Sequence, residues 1–156
     1  MSTRTELLEK IAVDSQRHYA DYMRFNQAMA DHLGLHPTDL QCVALLDVEP
    51  GPVSTGEIAR LTGLTSGSAT RLVDRMAKAG LVERHADPQD RRKSLVTLAP
   101  EARARIGAAW DVPGKAFGAV LETYRDDELA VIADYLNRAG AVGRAQAERL
   151  TGQDAS

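Results

Sequence analysis

Residues 64–98, LTSGSATRLVDRMAKAGLVERHADPQDRRKSLVTL, contain the strongest structural pattern of the chain. In its first half, apolar residues recur at i, i+3, i+4 and i+7, which is the spacing of a helix that buries one face. Thr65 or Ser66 can cap the start of this helix, and Gly80 can end it. We therefore predict a helix over about 66–79.

The second half of the same stretch predicts a β-hairpin. Leu81–Ala86 and Lys93–Leu98 have the short apolar and β-branched character of strands. A charged loop, residues 87–93, joins them. The side chains expected to point inward are Val82, Val96 and Leu98.

Two short helices are predicted before this stretch. Thr38-x-x-Gln41 and Ser54-x-x-Glu57 have the spacing of capping boxes, in which two side chains satisfy the first backbone N–H groups of a helix. Residues 49–52, Glu-Pro-Gly-Pro, predict a rigid turn between the two helices. Gly63 ends the second of them, which predicts a helix-turn-helix with helix 66–79.

Longer helices are predicted on both sides of this centre. Apolar residues follow helical spacing over 8–33, and Gly34 ends that helix. Residues 101–120 are helical with a kink or break at Val112-Pro113-Gly114, and Asp126 caps a helix that extends to Leu150. Each end has an apolar stripe that the small centre cannot cover. These stripes either pack against a second copy or fold back on their own subunit.

The outward face of helix 66–79 combines small hydroxyl side chains with basic ones, namely Ser66, Ser68, Thr70, Arg71, Arg75 and Lys78. Such a face fits the major groove of DNA, because small residues permit close approach and arginine binds guanine or phosphate. The alternative is the solvated face of a structural helix. The loop favours DNA, because its Arg91-Arg92-Lys93 can follow a backbone or enter a minor groove. A helix and a basic loop so arranged form a winged helix-turn-helix.

The net charge of −3 conceals an uneven distribution. Residues 60–93 hold eight basic and four acidic side chains, an excess of +4, and the rest of the chain carries −7. Such a distribution predicts that one face of the protein meets a polyanion. The composition, 44% hydrophobic and 26% charged, argues against a disordered or fibrous chain.

The hairpin region closely resembles the signature of the multiple-antibiotic-resistance regulator (MarR) family, in the segments KAGLVER (78–84), DPQDRR (87–92) and VTL (96–98). The order of elements along the whole chain is similar too. The resemblance implies a homodimeric transcription factor, usually a repressor, that a small ligand often releases from DNA. The chain departs from the family at Ala99, where a Thr able to cap the next helix is common.

The resemblance also implies DNA-binding residues, which are Ser66, Ser68, Thr70, Arg71, Arg75, Asp90, Arg91 and Arg92. The first four match positions that face the major groove, and Arg75 matches a common phosphate or base contact. Asp90 and Arg92 match an Asp-x-Arg element in which the Asp braces the wing and the Arg enters the minor groove. The alternative for Asp90 is a plain turn acid.

An effector cavity is a further implication of the resemblance, between the dimerisation helices and the winged part. Aromatic and polar side chains near that junction would suit an aromatic or phenolic acid, and they are His18, Tyr19, Tyr22, Phe25 and Trp110. The alternative is that these residues belong to the core of a dimer.

The remaining chemistry-bearing residues predict no further site. Peroxide-sensing relatives have a cysteine near the start of the first helix, whereas Cys42 is expected to be a small buried hydrophobe. The four histidines lack paired spacing, so no metal site is expected, and no cofactor is expected either. No nucleotide-binding or hydrolase motif is present, which argues against an enzyme. No membrane partner is predicted, because the longest uncharged stretch is ten residues and a membrane-spanning helix needs about 20. The single cysteine cannot form an internal disulfide, which fits a protein of the reducing cytoplasm.

The sequence therefore predicts a mostly α protein with a small β-hairpin wing. Its expected parts are an N-terminal dimerisation helix (1–36), a winged helix-turn-helix domain (37–99), C-terminal dimerisation helices (100–150) and a flexible tail (151–156). The expected function is a homodimeric, ligand-responsive repressor that binds a palindromic operator through helix 66–79 and wing 87–93. The alternative is a winged-helix protein-interaction module without specific DNA readout.

Overall fold

A computed structural model of the chain describes residues 3–90 and 93–152. Its elements in chain order are α1 (Arg4–Leu33), α2 (Pro37–Val48), β1 (Val53–Ser54), α3 (Thr55–Thr62), α4 (Ser66–Lys78), β2 (Val82–Ala86), β3 (Ser94–Leu98), α5 (Pro100–Leu121) and α6 (Asp126–Thr151). The chain divides into two compact units, Met1–Ala109 and Trp110–Ser156. The predicted fold class, mostly helical with a small wing, is confirmed.

The first unit contains the hydrophobic core of the described residues. All its buried apolar side chains lie between Met29 and Ile106, and the largest fully buried ones are Leu40, Ile58, Leu72, Met76 and Leu81. They come from α2, α3, α4 and the residue just before β2, and α3 packs against α4 as the predicted helix-turn-helix. Truncation of a leucine in such a core costs about 2–5 kcal/mol.

The sheet has three antiparallel strands in the order β1-β3-β2. Val82 pairs with Leu98, and Val53 of β1 pairs with Val96. The predicted inward positions Val82, Val96 and Leu98 are buried. The two-residue strand β1 was not predicted, because a strand this short has no alternating pattern and lies directly after a proline turn.

Glycine ends the helices of the winged part as the sequence predicts. Gly63 has a φ of 70° at the turn between α3 and α4, a conformation that costs other residues free energy. After α4, Gly80 has a φ of 69°, and the N–H of Leu81 donates to the carbonyl of Met76. This six-residue closure satisfies carbonyls at the helix end and turns the chain into β2.

The start of α2 corrects one predicted cap. α2 begins at Pro37 and its N-cap is His36, two residues before Thr38, the N-cap of the predicted capping box. The His36 Nδ1 accepts the N–H of Thr38 at 3.2 Å. Proline suits this first position, because it has no N–H that needs a partner. Thr38-x-x-Gln41 is therefore not a capping box.

The predicted capping box of α3 is half correct. The Oγ of Ser54 accepts the N–H of Glu57 at 3.1 Å, as expected of the N-cap. The carboxylate of Glu57, however, accepts from the guanidinium of Arg60. In a complete capping box, this carboxylate would accept the backbone N–H of Ser54. Here it pairs with Arg60, one turn further along the helix, instead.

Two predictions for the C-terminal helices are wrong in detail. No break occurs at Val112-Pro113-Gly114, because α5 is helical from Pro100 to Leu121 with Pro113 inside it. Asp126 is the first residue of α6 and does not cap it. The N-cap is Arg125, whose N–H donates to the carboxylate of Glu128 at 2.9 Å.

The second unit comprises the later part of α5, from Trp110, and all of α6. The rings of Trp110 and Phe117, two turns apart on α5, have centroids 6.4 Å apart. Among its described residues, α6 contains no buried side chain. Val131, Leu136 and Val142 are each more than 60% exposed. Within the described ranges, no helix is long and apolar enough to cross a membrane.

Candidate nucleic-acid interface

Helix α4 has one buried face and one polar face. Ala69, Leu72, Val73 and Met76 are at most 2% exposed, which confirms the predicted apolar stripe. Of the residues predicted to bind DNA, Ser66, Thr70, Arg71 and Arg75 are exposed, and Ser68 is half-buried. The structure therefore brings the predicted side chains of α4 together on one surface.

Hydroxyl groups at the start of α4 are held by local hydrogen bonds. The Oγ1 of Thr65 caps the helix by accepting the N–H of Ser68, and it donates to the Ser68 Oγ at 3.0 Å. The Thr70 Oγ1 donates to the carbonyl of Ser66 at 2.9 Å. These hydroxyl oxygens keep lone pairs for further donors, such as the amino groups of bases.

Arg71 lies over the first turn of α4. Its Nη2 donates to the Oγ of Ser68, one turn back, at 3.2 Å. This bond orients the guanidinium along the exposed face of the helix. Arg71 has no acidic partner among the described residues, so its charge is available to an anion.

Arg75 is bound to Asp39, a contact that the sequence analysis did not predict. The Nε of Arg75 donates to both carboxylate oxygens, at 3.0 and 3.2 Å, and Nη2 donates to Oδ1. The hydrogen bond to Asp39 raises the pKa of Arg75 further above its usual value. The pair joins α4 to α2. Asp39 is spaced at i, i+4 and i+7 with the buried Val43 and Leu46 of α2, and this was the available signal, since buried charges are normally paired.

A second ion pair joins α4 to the hairpin. Nη2 of Arg84, on β2, donates to the carboxylate of Asp74 on α4. Both side chains are well exposed, so the pair contributes at most about 1 kcal/mol. Its geometric effect is to connect the helix to the strand that leads into the wing.

The described part of the wing loop is organised by Asp87. Its carboxylate Oδ1 accepts the N–H of Gln89 at 2.8 Å and lies 3.4 Å from the N–H of Asp90. The backbone closes the loop as well, because the N–H of Lys93 donates to the carbonyl of Asp90 at 2.8 Å. Asp87 therefore holds the turn, a role that Asp commonly has in loops and that sequence reasoning did not assign here.

The predicted wing arginines, Arg91 and Arg92, lie outside the described residues. Asp90, which precedes them in the sequence, is half-buried, and the bracing role expected of its side chain stays a prediction. His85 on β2 is exposed, and its Nε2 lies 2.8 Å from the Oγ1 of Thr97 on β3.

Ion pairing reduces the basic excess of residues 60–93. Arg60 and Arg75 pair with Glu57 and Asp39, acids that precede this segment. Within residues 60–93, the described basic side chains without an ion-pair partner are Arg71, Lys78 and Lys93. The charge that this segment leaves available to a polyanion therefore lies on the outer face of α4 and at the end of the wing.

The residues predicted to bind an effector occur as short aromatic clusters. On α1, the rings of His18 and Tyr22 are 6.4 Å apart, and those of Tyr22 and Phe25 are 6.3 Å apart. Tyr19 is 65% exposed on the same helix. Trp110 belongs to the second unit. A shared binding role for these residues stays a prediction.

Cys42 is 1% exposed in α2, as the sequence predicts. Burial, with a smaller contribution from the nearby Asp39 carboxylate, raises the pKa of its thiol to about 11. The described residues contain no group of three or more His, Cys, Asp or Glu side chains that could hold a metal ion.

Comparisons with known proteins agree with this geometry. Residues 33–93 match the sequence profile of the MarR family. The chain is 37% identical over 153 residues to the HTH-type transcriptional regulator YcgE of Bacillus subtilis (strain 168), covering 96% of this chain and 99% of YcgE. It is 31% identical over 84 residues to the HTH-type transcriptional repressor YetL of the same bacterium, covering 54% of this chain and 50% of YetL.

The fold is similar to that of a solved MarR family protein from Bacillus stearothermophilus, with a TM-score of 0.68 at 20% identity. The similarity covers 90% of this chain and 97% of that one. The predicted absence of enzymatic activity is confirmed by relatives that are transcriptional regulators. The full-length identity to YcgE and the winged fold together show that this chain belongs to the MarR family of DNA-binding, helix-turn-helix transcriptional regulators.

Proposed function

We propose that the protein is a homodimeric repressor that binds a palindromic operator, with α4 in the major groove and the wing, residues 87–93, in the minor groove. One observation carries the proposal: the exposed face of α4 presents Ser66, Thr70 and Arg71 opposite a fully buried apolar stripe. A helix anchored in this way can enter a groove without losing its packing.

A dimer is supported by the long helices of the two ends. Large apolar side chains of α1, including Leu8 and Ile11, are about half exposed, and α6 has no buried residue among those described. Exposed apolar surface on this scale marks a protein interface. We therefore propose that 1–36 and 100–150 form the dimer and that 37–99 binds DNA.

Two-fold symmetry also suits the DNA-binding role. A single recognition helix contacts too few base pairs for a specific site, and a dimer reads two half-sites about one helical turn apart. The repressor role is proposed because the relative YetL is named a transcriptional repressor. The effector is proposed to be an aromatic or phenolic acid, on the basis of the aromatic side chains His18, Tyr19, Tyr22, Phe25 and Trp110.

In-vitro selection of DNA from a random pool tests the proposal. The expected result is a palindrome whose two halves are about 10 base pairs apart. Affinity for it should exceed affinity for random DNA and should fall steeply as salt rises. Recovery of no preferred sequence, with weak binding to all DNA, would favour the protein-interaction module instead.

Screening aromatic acids against the DNA complex tests the effector. A true effector raises the melting temperature of the protein and lowers its affinity for the selected operator, because it binds one conformation better than the other. A screen in which no such compound changes either quantity contradicts the effector proposal and leaves DNA binding unaffected.

A further inference from the structure

The ion pair between Asp39 and Arg75 differs from the others in its burial. The side chain of Asp39 is 6% exposed, whereas all other side chains in the ion pairs formed between two described residues are at least 37% exposed. Asp39 is also the one buried charged residue of the described chain. Its contact with Arg75 spans 36 positions of sequence and joins α2 to α4.

Breaking the ion pair between Arg75 and Asp39 would destabilise the folded protein. A buried carboxylate that loses its partner is left uncompensated, which destabilises a folded protein by several kcal/mol when burial is complete. A phosphate that bound Arg75 by displacing Asp39 would therefore work against the fold. The pair is expected to stay intact when the protein binds DNA.

One edge of the guanidinium remains outside the pair. Nε and Nη2 of Arg75 donate to Asp39, and the structure gives Nη1 no acceptor among the described residues. The side chain as a whole is 52% exposed. A guanidinium has donors on all three nitrogens, so it can hold a carboxylate on one edge and an anion on another.

The position of Arg75 along α4 fits this second contact. Arg71, Arg75 and Lys78 recur at i, i+4 and i+7, so they form one exposed row on the helix. Arg71 and Lys78 have no ion-pair partner among the residues that the structure describes. Arg75 lies between two cations that are available to a row of phosphates.

We propose that Asp39 is a positioning residue for DNA binding: it fixes Nε and Nη2 of Arg75 so that Nη1 meets a phosphate of the DNA backbone. This inference rests on the proposed function of α4. Asp39 itself does not contact DNA. It acts through Arg75 and makes the helix and its phosphate contact one rigid unit.

Charge alone and the positioning role predict opposite changes in DNA affinity when Asp39 is replaced. Replacing Asp39 by Asn removes a negative charge close to the DNA-binding face, so simple electrostatics predicts tighter binding. If Asp39 positions Arg75, the same replacement weakens binding, because Asn offers one acceptor oxygen and no charge. The sign of the change separates the two explanations.

The experiment measures the dissociation constant of the full-length protein for its selected operator over a series of salt concentrations. Asp39→Asn should weaken binding about tenfold, roughly the value of one charged hydrogen bond. The matched control is Asp47→Asn, which removes the same charge from the same helix at an exposed pair with Arg103. The control should stay within about twofold of the unaltered protein.

A second variant keeps the test decisive if Asp39→Asn fails to fold. Arg75→Lys retains a cation beside the carboxylate, but its three donors are all on one nitrogen, so it cannot hold Asp39 through two nitrogens while a third nitrogen meets a phosphate. Its log–log salt slope should fall by about one, which corresponds to one lost phosphate contact. Rescue of full affinity and slope by lysine would overturn the proposal.

The remaining outcomes are also distinct. If Asp39→Asn folds and binds as well as the unaltered protein, or more tightly, the positioning role is wrong and the proposed function stands. If the unaltered protein and Asp47→Asn both bind no DNA, the proposed function is wrong and the inference falls with it.

Discussion

At the scale of single residues, Arg71 is the side chain of α4 best placed to distinguish bases. Ser68 orients its guanidinium, and no acid neutralises it among the described residues. Bidentate contact of arginine with guanine is the commonest specific contact in the major groove. Arg75, in contrast, is held at the side of the helix by Asp39.

We predict that Arg71→Ala weakens operator binding by about 1–3 kcal/mol and changes the preferred sequence, because a base contact is lost. The measurement is a gel-shift titration on the selected operator and on random DNA, with Arg17→Ala as a control on an exposed face of α1. Equal weakening on both DNAs would identify Arg71 as a phosphate contact.

Cys42 is predicted to be inert in the folded protein. With a pKa of about 11, about 0.1% of the thiol is ionised at pH 8, and the side chain is also inaccessible. Alkylation at pH 8 should therefore be slow in the native protein and fast after unfolding. Rapid native alkylation, or loss of DNA binding after peroxide treatment, would contradict this.

The same shift predicts a pH dependence of stability. Burial favours the neutral thiol, so the folded state keeps its proton at a pH where the unfolded state loses it. This stabilisation is complete below the pKa of the unfolded thiol, near 9, and is lost as the pH rises to about 11. Chemical denaturation of Cys42→Ala and the unaltered protein at pH 7.5 and 10 measures it, and an identical pH dependence of the two contradicts it.

At the scale of elements, the wing depends on the turn that Asp87 holds. Asp87→Ala removes the acceptor of the Gln89 N–H and should reduce operator affinity several-fold by loosening the loop. Asp87→Asn keeps a side-chain acceptor and loses the same charge, so it should bind nearly as well as the unaltered protein. Affinity is measured by fluorescence anisotropy. Equal affinity of the two variants would contradict a role for the turn.

The sequence predicted elements where a local signal was strong. The apolar stripe of α4 and the left-handed glycines after α3 and α4 each depend on neighbours in the chain, and the structure confirms them. Strand β1 was missed because a two-residue strand is created by its partner β3, not by its own pattern. Of the expected kink or break at Pro113, the break is wrong, because the following turns continue the helix despite one missing N–H.

For the site too, features that depend on neighbouring residues could be predicted, whereas contacts between residues distant in the sequence could not. Which residues share the outer face of α4 follows from helical periodicity and could be predicted. The bond between Arg75 and Asp39 could not, because its two residues lie 36 positions apart and meet only when α2 packs in the folded core. For the same reason, the net charge of residues 60–93 overstates the charge that is free to bind DNA, since two arginines of this segment pair with acids from outside it.

At the scale of the whole molecule, the exposed apolar residues of α1 predict that Ile11→Glu disrupts the dimer. Two-fold symmetry places two charges in the interface for each substitution, and buried unpaired charge is costly. Sedimentation should find a dimer for the unaltered protein and for Arg17→Glu, which changes an exposed polar position of the same helix. A dimer for Ile11→Glu, or a monomer for the unaltered protein at micromolar concentration, would contradict the assignment.

The burial of Cys42 makes the native chain a ready background for spectroscopic labelling. Any cysteine introduced on an exposed element would be the one thiol that reacts under native conditions, so no prior removal of cysteine is needed. In a two-fold dimer, each spin label has one symmetry mate, and a single substitution gives one inter-label distance. Labels on the two α4 helices would then measure whether their separation matches one turn of DNA, about 34 Å, in the absence of DNA and in its presence.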